Sequence, residues 1–181
     1  MLSECKECDR VKANFNQPSP TLHPLPIEGM FYRWGVDLAG PFDETGSGHQ
    51  FVMICIEHYS KWAELIPLPN KASETTADAF RRNIIGRFGS CAEVITDNGK
   101  EWEGDFQLLL ENSLIDHCRT TPDHPQSNGL AERMVQSTKK ALRKYAEASD
   151  NLRRWDKELP YVQLGYNSAP QASSRMTPMF L

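Results

Sequence analysis

Hydrophobic and polar positions recur with two different periods along the chain, and each change of period marks a change of element. Three short apolar runs come first, at 35–40 (GVDLAG), 51–57 (FVMICIE) and 61–68 (KWAELIPL). Runs rich in β-forming residues and placed so close together predict antiparallel strands. Two further strands are expected at 92–96 and 115–119.

Helical periodicity begins after the third run. From Ser73 the apolar residues fall on one helical face, and Gly89 is placed to end that helix. A second amphipathic helix is predicted through Trp102, Phe106, Leu109 and Leu110. A polar loop at 120–129 then precedes a long helix and a last helical stretch. This order predicts an α/β fold, in which helices cover both faces of a mixed five-stranded sheet.

Composition limits the class of protein. A chain of 181 residues, 39% of them hydrophobic, can bury one full core. Neither a signal peptide nor an apolar run of membrane-spanning length is visible, so we expect a soluble nuclear or cytoplasmic protein without a membrane partner. Five cysteines form an odd set, which argues against a secreted disulfide framework. Cys55, Cys91 and Cys118 lie in or beside apolar runs and are expected to be buried thiols.

The net charge of −4 would not by itself suggest a nucleic-acid partner, but the basic residues are unevenly distributed. They gather late in the chain, at Arg133, Lys139, Lys140, Arg143, Lys144, Arg153, Arg154 and Lys157. Counted from Glu132, residues Gln136, Lys139 and Arg143 recur at helical spacing on one face, beside Lys140. We expect this face to contact DNA phosphates, and a merely solvated helix face is the alternative.

Three acidic residues are placed where this layout lets them converge. Asp37 lies in the first strand, Asp97 directly follows the fourth, and Glu132 falls in the first turn of the long helix. Catalytic groups in open α/β sheets collect at strand ends. Grouped carboxylates repel one another unless cations neutralise them, and such oxygen ligands suit Mg²⁺ or Mn²⁺. Two such ions about 3.5–4 Å apart can activate the attacking oxygen and stabilise the leaving oxygen of a phosphodiester transfer.

Each acid also has an ordinary structural interpretation. An aspartate before Asn-Gly, as at Asp97, is most often a turn residue, and a glutamate in the first helical turn commonly complements the helix dipole. Asp37 is harder to explain in this way, because a charge inside a core strand needs a partner or a metal.

Several segments resemble the integrases of retroviruses and, more closely, those of Gypsy-type LTR retrotransposons. The segments are RWGVDLAGPF at 33–42, HYSKWAELIPL at 58–68, VITDNGKEW at 94–102, HPQSNGLAERMVQSTKKALRK at 124–144 and YNSAPQASSRMTP at 166–178. The interval of 35 positions between Asp97 and Glu132 is close to the usual spacing of that family. Several blocks in the family's order are far more specific than any single block.

The resemblance implies an RNase H-like fold and DNA integration activity. Asp37 would bridge two Mg²⁺ or Mn²⁺ ions, while Asp97 and Glu132 would each hold one of them. The implied reaction trims the DNA ends of the element and then joins each new 3′-hydroxyl to target DNA. Because two ends are joined at once, a homodimer or larger assembly is expected.

The resemblance also assigns the flanking segments. Gln126, Ser127 and Asn128 match a flexible loop beside the active site, and they are expected to contact DNA unless they form an ordinary polar loop. Cys5 and Cys8 resemble half of a His-His-Cys-Cys zinc module, so residues 1–13 are expected to be a remnant of it. The two preceding histidines are missing, and we therefore expect no ordered Zn²⁺, since a structural zinc needs four ligands.

The remaining organisation follows from this assignment. Residues 14–29 carry four prolines and are expected to be a linker, and residues 30–181 are expected to be the integrase catalytic core. The main alternative function is a catalytically silent, domesticated or fragmentary binding module derived from an integrase. A DNA transposase or nuclease using the same acids is the second. A glycosidase is remote, because the chain has no aromatic platform for a sugar.

Overall fold

A computed structural model of the chain describes residues 29–120, 136–137, 140 and 152–181. Its strands are Arg33–Ala39 (β1), Phe51–Glu57 (β2), Ala63–Leu68 (β3), Glu93–Thr96 (β4) and Asp116–Arg119 (β5). They form one sheet in the order β3-β2-β1-β4-β5. The first three strands are antiparallel neighbours, whereas β1, β4 and β5 run parallel. The mixed five-stranded sheet predicted from the sequence is confirmed.

The first helix, α1, begins at Ser73 as predicted. It spans Ser73–Phe80, continues as a π-helix over Arg81–Ile85 and ends with a helical turn, Gly86–Phe88. Gly89 follows with a φ of 86°, a conformation that favours glycine, so its predicted role in ending the helix is confirmed.

The second helix, α2, spans Asp105–Asn112 and is shorter than predicted. Trp102 does not belong to it but closes a separate 3-10 turn, Lys100–Trp102. The two are divided by Gly104, whose φ of 56° is incompatible with a continuous right-handed helix. The last described helix, α3, spans Trp155–Asn167 and contains Pro160. None of the described helices is long and apolar enough to cross a membrane.

Both faces of the sheet are covered, because successive residues of each strand point to opposite sides. On one face, Trp34 and Val36 of β1 share a buried cluster with Phe80 of α1 and Phe106 of α2. On the other face, residues of β1, β2 and β3 pack against Trp155 of α3. The alternation along β1 therefore directs Asp37 to the same face as Ala39, which belongs to the second cluster.

The cysteines follow the expectation in two cases out of three. Cys55 and Cys91 are buried free thiols, and burial raises the pKa of Cys91 to about 12, so this thiol stays protonated and unreactive. Cys118 was expected to be buried and is exposed, which corrects the prediction. The reason is its position on β5, an edge strand with a neighbour on one side only.

Several predicted segments lie outside the described residues. They are the zinc-module remnant at 1–13, all of the linker at 14–29 except its last residue, most of the polar loop at 120–129 and most of the long helix. Within that helix, Gln136, Ser137 and Lys140 are described and helical.

Candidate active site

Asp37 lies within β1, and Asp97 directly follows β4, the parallel neighbour of β1 in the sheet. The register of the parallel pair β1 and β4 matches Arg33 with Glu93, Trp34 with Val94 and Gly35 with Ile95. The partners in these three pairs are 60 positions apart, and the same offset continued for two more residues would set Asp37 opposite Asp97. Neighbouring strands are about 4.8 Å apart, so the two carboxylates would then leave adjacent backbone positions.

The carboxylate of Asp97 is oriented by the turn that follows it. Its Oδ1 accepts a hydrogen bond from Nε1 of Trp102 at 2.7 Å and another from the backbone amide of Gly99 at 3.0 Å. Trp102 is buried, whereas Asp97 is exposed. Among the described residues, both hydrogen bonds to this carboxylate end on Oδ1, which leaves Oδ2 accessible to solvent or to a cation.

Thr96 and His117 hold the backbone of Asp97 from the other side. The hydroxyl of Thr96 donates to the Asp97 carbonyl at 2.8 Å and lies 2.9 Å from Nε2 of His117. A hydroxyl has one hydrogen, so here it must accept from His117, which assigns the Nε2–H tautomer. Burial lowers the pKa of His117, and the charge of Arg119 lowers it further. The imidazole is therefore neutral at pH 7.

Asp37 occupies the same edge from within β1. Its side chain is half-buried, and its Oδ1 accepts a hydrogen bond from the backbone amide of Leu38 at 2.7 Å. In the antiparallel register with β2, it lies opposite Ile54, a buried residue of the cluster beneath α3. Asp37 therefore has an apolar residue of β2 on one side, and β4, the strand that ends just before Asp97, neighbours β1 on the other.

Comparison with known proteins identifies relatives of the whole chain. No family model matches it. The Tf2-3 and Tf2-4 transposon polyproteins of Schizosaccharomyces pombe are each 27% identical to it over an alignment 187 residues long, which includes 98% of this chain. The chain spans only 13% of the length of those polyproteins.

Solved structures show the same fold. A chain of the simian T-cell lymphotropic virus intasome in complex with PP2A regulatory subunit B56 gamma superimposes with a TM-score of 0.78 at 21% identity, covering 99% of this chain and 63% of that one. The HTLV-2 integrase catalytic core domain in complex with magnesium gives 0.65 at 20% identity, covering 82% and 94%. The catalytic core of BIV integrase gives 0.63 at 19% identity, covering 82% and 91%.

The chain is similar in sequence to the Tf2 polyproteins, and it has the fold of an integrase catalytic core. The resemblance found in the sequence and the RNase H-like fold expected from it are both confirmed.

The carboxyl edge of the sheet in this integrase-like core carries donor atoms that suit a divalent cation. Asp37 and Asp97 supply carboxylate oxygens from adjacent strands, and such hard oxygen donors match Mg²⁺ and Mn²⁺. Within residues 29–120 and the other described positions, no three His, Cys, Asp or Glu side chains converge on one point. The third predicted acid, Glu132, lies outside the described residues.

The predicted DNA-binding face of the integrase-like core is described at two positions. Gln136 and Lys140 are helical and exposed, and they lie four positions apart, a spacing at which two residues of one helix share a face. The other predicted contacts lie outside the described residues: Gln126, Ser127, Asn128, Lys139 and Arg143. Cys5 and Cys8 lie outside them as well.

Sequence reasoning missed the residues that support Asp97. Hydrophobic periodicity assigns Trp102 to the apolar face of a helix, and it places Thr96 and His117 in the strands expected at 92–96 and 115–119 without giving their side chains a role. A tryptophan five residues after a predicted catalytic aspartate, across an Asn-Gly turn, was the available signal, because an indole N–H needs an acceptor when it is buried.

Proposed function

We propose that this chain is the catalytic core of a retroelement integrase, which processes DNA ends and joins them to target DNA. The observation that carries the proposal is the parallel register of β1 and β4, because its continuation by two residues would set Asp37 opposite Asp97 at the carboxyl edge of the sheet. In open α/β folds this edge is where ligands and reacting groups collect. The polyprotein relatives and the retroviral integrase folds support the same function.

Asp37, Asp97 and Glu132 would together hold two divalent cations. When bound, such ions activate an attacking oxygen and stabilise the leaving oxygen at phosphorus. The contribution of the chain is then to place three carboxylates around one phosphodiester. The described contacts that support this proposal are those of Asp97, whose carboxylate is held by Trp102 and Gly99.

The proposed reaction has two displacements at phosphorus. In the first, a water oxygen bonds to a phosphorus near the end of the element DNA, and the bond to the adjoining 3′-oxygen breaks, which frees a 3′-hydroxyl. In the second, that 3′-oxygen bonds to a phosphorus of target DNA and displaces another 3′-oxygen. Neither step needs a nucleophilic side chain. Gln136, Lys139, Lys140 and Arg143, with the loop residues Gln126, Ser127 and Asn128, would hold the phosphate backbone.

The decisive experiment measures cleavage and strand joining on linear and branched DNA oligonucleotides with Mg²⁺ or Mn²⁺. We expect the wild-type chain to be active and Asp97→Asn, Asp37→Asn and Glu132→Gln to be at least about a hundredfold slower. Asparagine is the right replacement at position 97 because its amide oxygen can still accept from Trp102. Alanine would leave a buried indole N–H without an acceptor, which costs about 1–3 kcal/mol.

Asp105→Asn is the matched control. Asp105 is an exposed aspartate at the start of α2, so its replacement should leave both activities unchanged. If the wild-type and all three acid variants are folded and equally inactive, the chain is a silent binding module derived from an integrase. Cleavage without joining would instead indicate a nuclease. Joining of paired ends also predicts a dimer or larger assembly when DNA is bound.

A further inference from the structure

The turn after β4 returns the chain beneath Asp97. The 3-10 turn Lys100–Trp102 is closed by a hydrogen bond from the Trp102 amide to the Gly99 carbonyl, at 3.2 Å. This reversal allows the indole of Trp102 to reach back five residues and donate to Oδ1 of Asp97 at 2.7 Å. A hydrogen bond to a carboxylate is about twice as strong as one between neutral groups.

The indole that makes this bond is rigidly packed. Trp102 is 1% exposed, and its ring meets Phe106 edge to face, with centroids 5.0 Å apart. Phe106 in turn packs against Phe80 of α1 at 5.5 Å and against His117 of β5 at 6.1 Å. A side chain enclosed in this way keeps one rotamer, so the direction of its N–H is fixed by the core.

We propose that Trp102 is a positioning residue for Asp97. By holding Oδ1 it fixes the rotation of the carboxylate and presents Oδ2 to a divalent cation at the edge of the sheet. This inference rests on the proposed function, because it assigns to Asp97 a role as cation ligand. Trp102 would thus influence the affinity of the site for the cation from within the core, without contacting the cation or the DNA itself.

Trp34 provides an internal comparison. It belongs to the same buried cluster as Trp102 and is 0% exposed, but its Nε1 has no hydrogen-bond partner among the residues that the structure describes. Replacing either tryptophan with phenylalanine removes a similar volume from the same core. Only the replacement at position 102 also removes a hydrogen bond to a carboxylate.

The test is Mn²⁺ binding by isothermal titration calorimetry, with the full chain and no DNA. The variants are Trp102→Phe, Trp34→Phe and Asp97→Asn, each also measured for Tm. We expect Trp102→Phe to raise the Kd for Mn²⁺ about tenfold, as is typical when a group that orients a ligand is removed. Trp34→Phe should lower the Tm by a similar amount and change the Kd less than twofold.

A second variant separates the lost donor from lost packing. Benzothienylalanine at position 102 has sulfur in place of the indole N–H and keeps the shape of tryptophan. It should reproduce the weaker Mn²⁺ binding of Trp102→Phe with a smaller loss of Tm, because the packing of the core is kept. It also replaces Trp102→Phe as the deciding measurement if that variant fails to fold.

The outcomes distinguish this inference from the proposed function. If Asp97→Asn abolishes Mn²⁺ binding while both position-102 variants keep the wild-type Kd, the role of Trp102 is refuted and the proposed function stands. Equal weakening by Trp102→Phe and Trp34→Phe, with no effect of benzothienylalanine, also refutes it, because the effect is then one of packing. A wild-type chain that does not bind Mn²⁺ overturns both.

Discussion

Asn167 forms a two-way hydrogen-bonded contact with the backbone of Ala63 at the free edge of the sheet. The Ala63 amide donates to Oδ1 of Asn167 at 2.9 Å, and Nδ2 of Asn167 donates to the Ala63 carbonyl at 3.0 Å. One turn earlier in α3, Oε1 of Gln163 accepts from the Leu65 amide at 2.9 Å. Side-chain amides of α3 thus occupy edge positions of β3 that another strand could otherwise use.

Asn167→Ala should destabilise the protein by roughly 2–4 kcal/mol. The change removes two hydrogen bonds and leaves a buried backbone N–H and C=O of Ala63 without partners. The free energy of unfolding in urea would measure it, and static light scattering would report any pairing of the uncovered strands. Ser168→Ala is the control, because Ser168 is exposed and its hydroxyl donates to the sulfur of Met179 rather than to the backbone of β3. Equal stability of the two variants would contradict this account of the edge.

His58 should make the stability of the protein fall between pH 7 and pH 5. Burial, together with the charges of Lys61 and Arg33, lowers its pKa from 6.5 to about 4, and within the described part of the chain its Nε2 has no hydrogen-bond partner. Between those two values the unfolded chain binds a proton that the folded chain does not, so stability decreases as the pH falls. The expected loss is about 2 kcal/mol from pH 7 to pH 5.

His58→Phe should reduce that pH dependence, because phenylalanine has a ring of similar shape and does not titrate. The measurement is the free energy of unfolding of both proteins at pH 7, 6 and 5. Other groups, including His117, still contribute to the remaining slope. Parallel curves for the two proteins would show that His58 binds a proton equally well in the folded state.

A divalent cation should stabilise the folded chain through Asp97. Mn²⁺ at about ten times its Kd adds about 1.4 kcal/mol, which corresponds to a rise in Tm of about 3–5 °C for a chain of this size. EDTA should reverse the rise, and Asp97→Asn should not show it. NaCl at equal ionic strength controls for general screening. A similar rise in the variant would place the cation elsewhere on the molecule.

Lys139 and Lys140 should contribute to DNA affinity through phosphates. Alanine at either position should lower the slope of log K against log salt concentration by about 0.9. Fluorescence anisotropy with a duplex oligonucleotide, at NaCl concentrations from about 50 to about 200 mM, would measure the slope. Lys157→Ala, at an exposed position of α3, is the matched control. If all three variants reduce the slope equally, the binding is non-specific attraction to the surface.

The strands and the first acid were predictable because local pattern determines them. The run FVMICIE became β2, Phe51–Glu57, without a change of boundary, since a continuous apolar run bounded by polar residues has little alternative. Asp37 stood out because a charge inside such a strand is costly. The start of α1 at Ser73 and its end before Gly89 were likewise visible in the sequence.

The contacts that orient the site were not predictable in this way. Hydrophobic periodicity treats Trp102 as an apolar residue and ignores its N–H, so it was placed on a helix that Gly104 in fact interrupts. The sequence predicted that Asp37 and Asp97 would converge, but the pairing of β1 with β4 depends on the order of the strands in the sheet, which no local pattern encodes. Asn167 likewise gave no sign that it would bind the backbone of a strand about a hundred residues earlier.

Paired residues of β1 and β4 are 60 positions apart along the chain, and this separation also determines when the site can form during refolding. The hairpins of β1, β2 and β3 close short loops, whereas the parallel pair needs a crossover through α1, with a larger entropic cost of loop closure. Asp37 can therefore reach its strand well before Asp97 arrives beside it. Capture of a cation by both carboxylates would then mark the completion of the slow, long-range step, and Mn²⁺ could serve as a kinetic probe of that step.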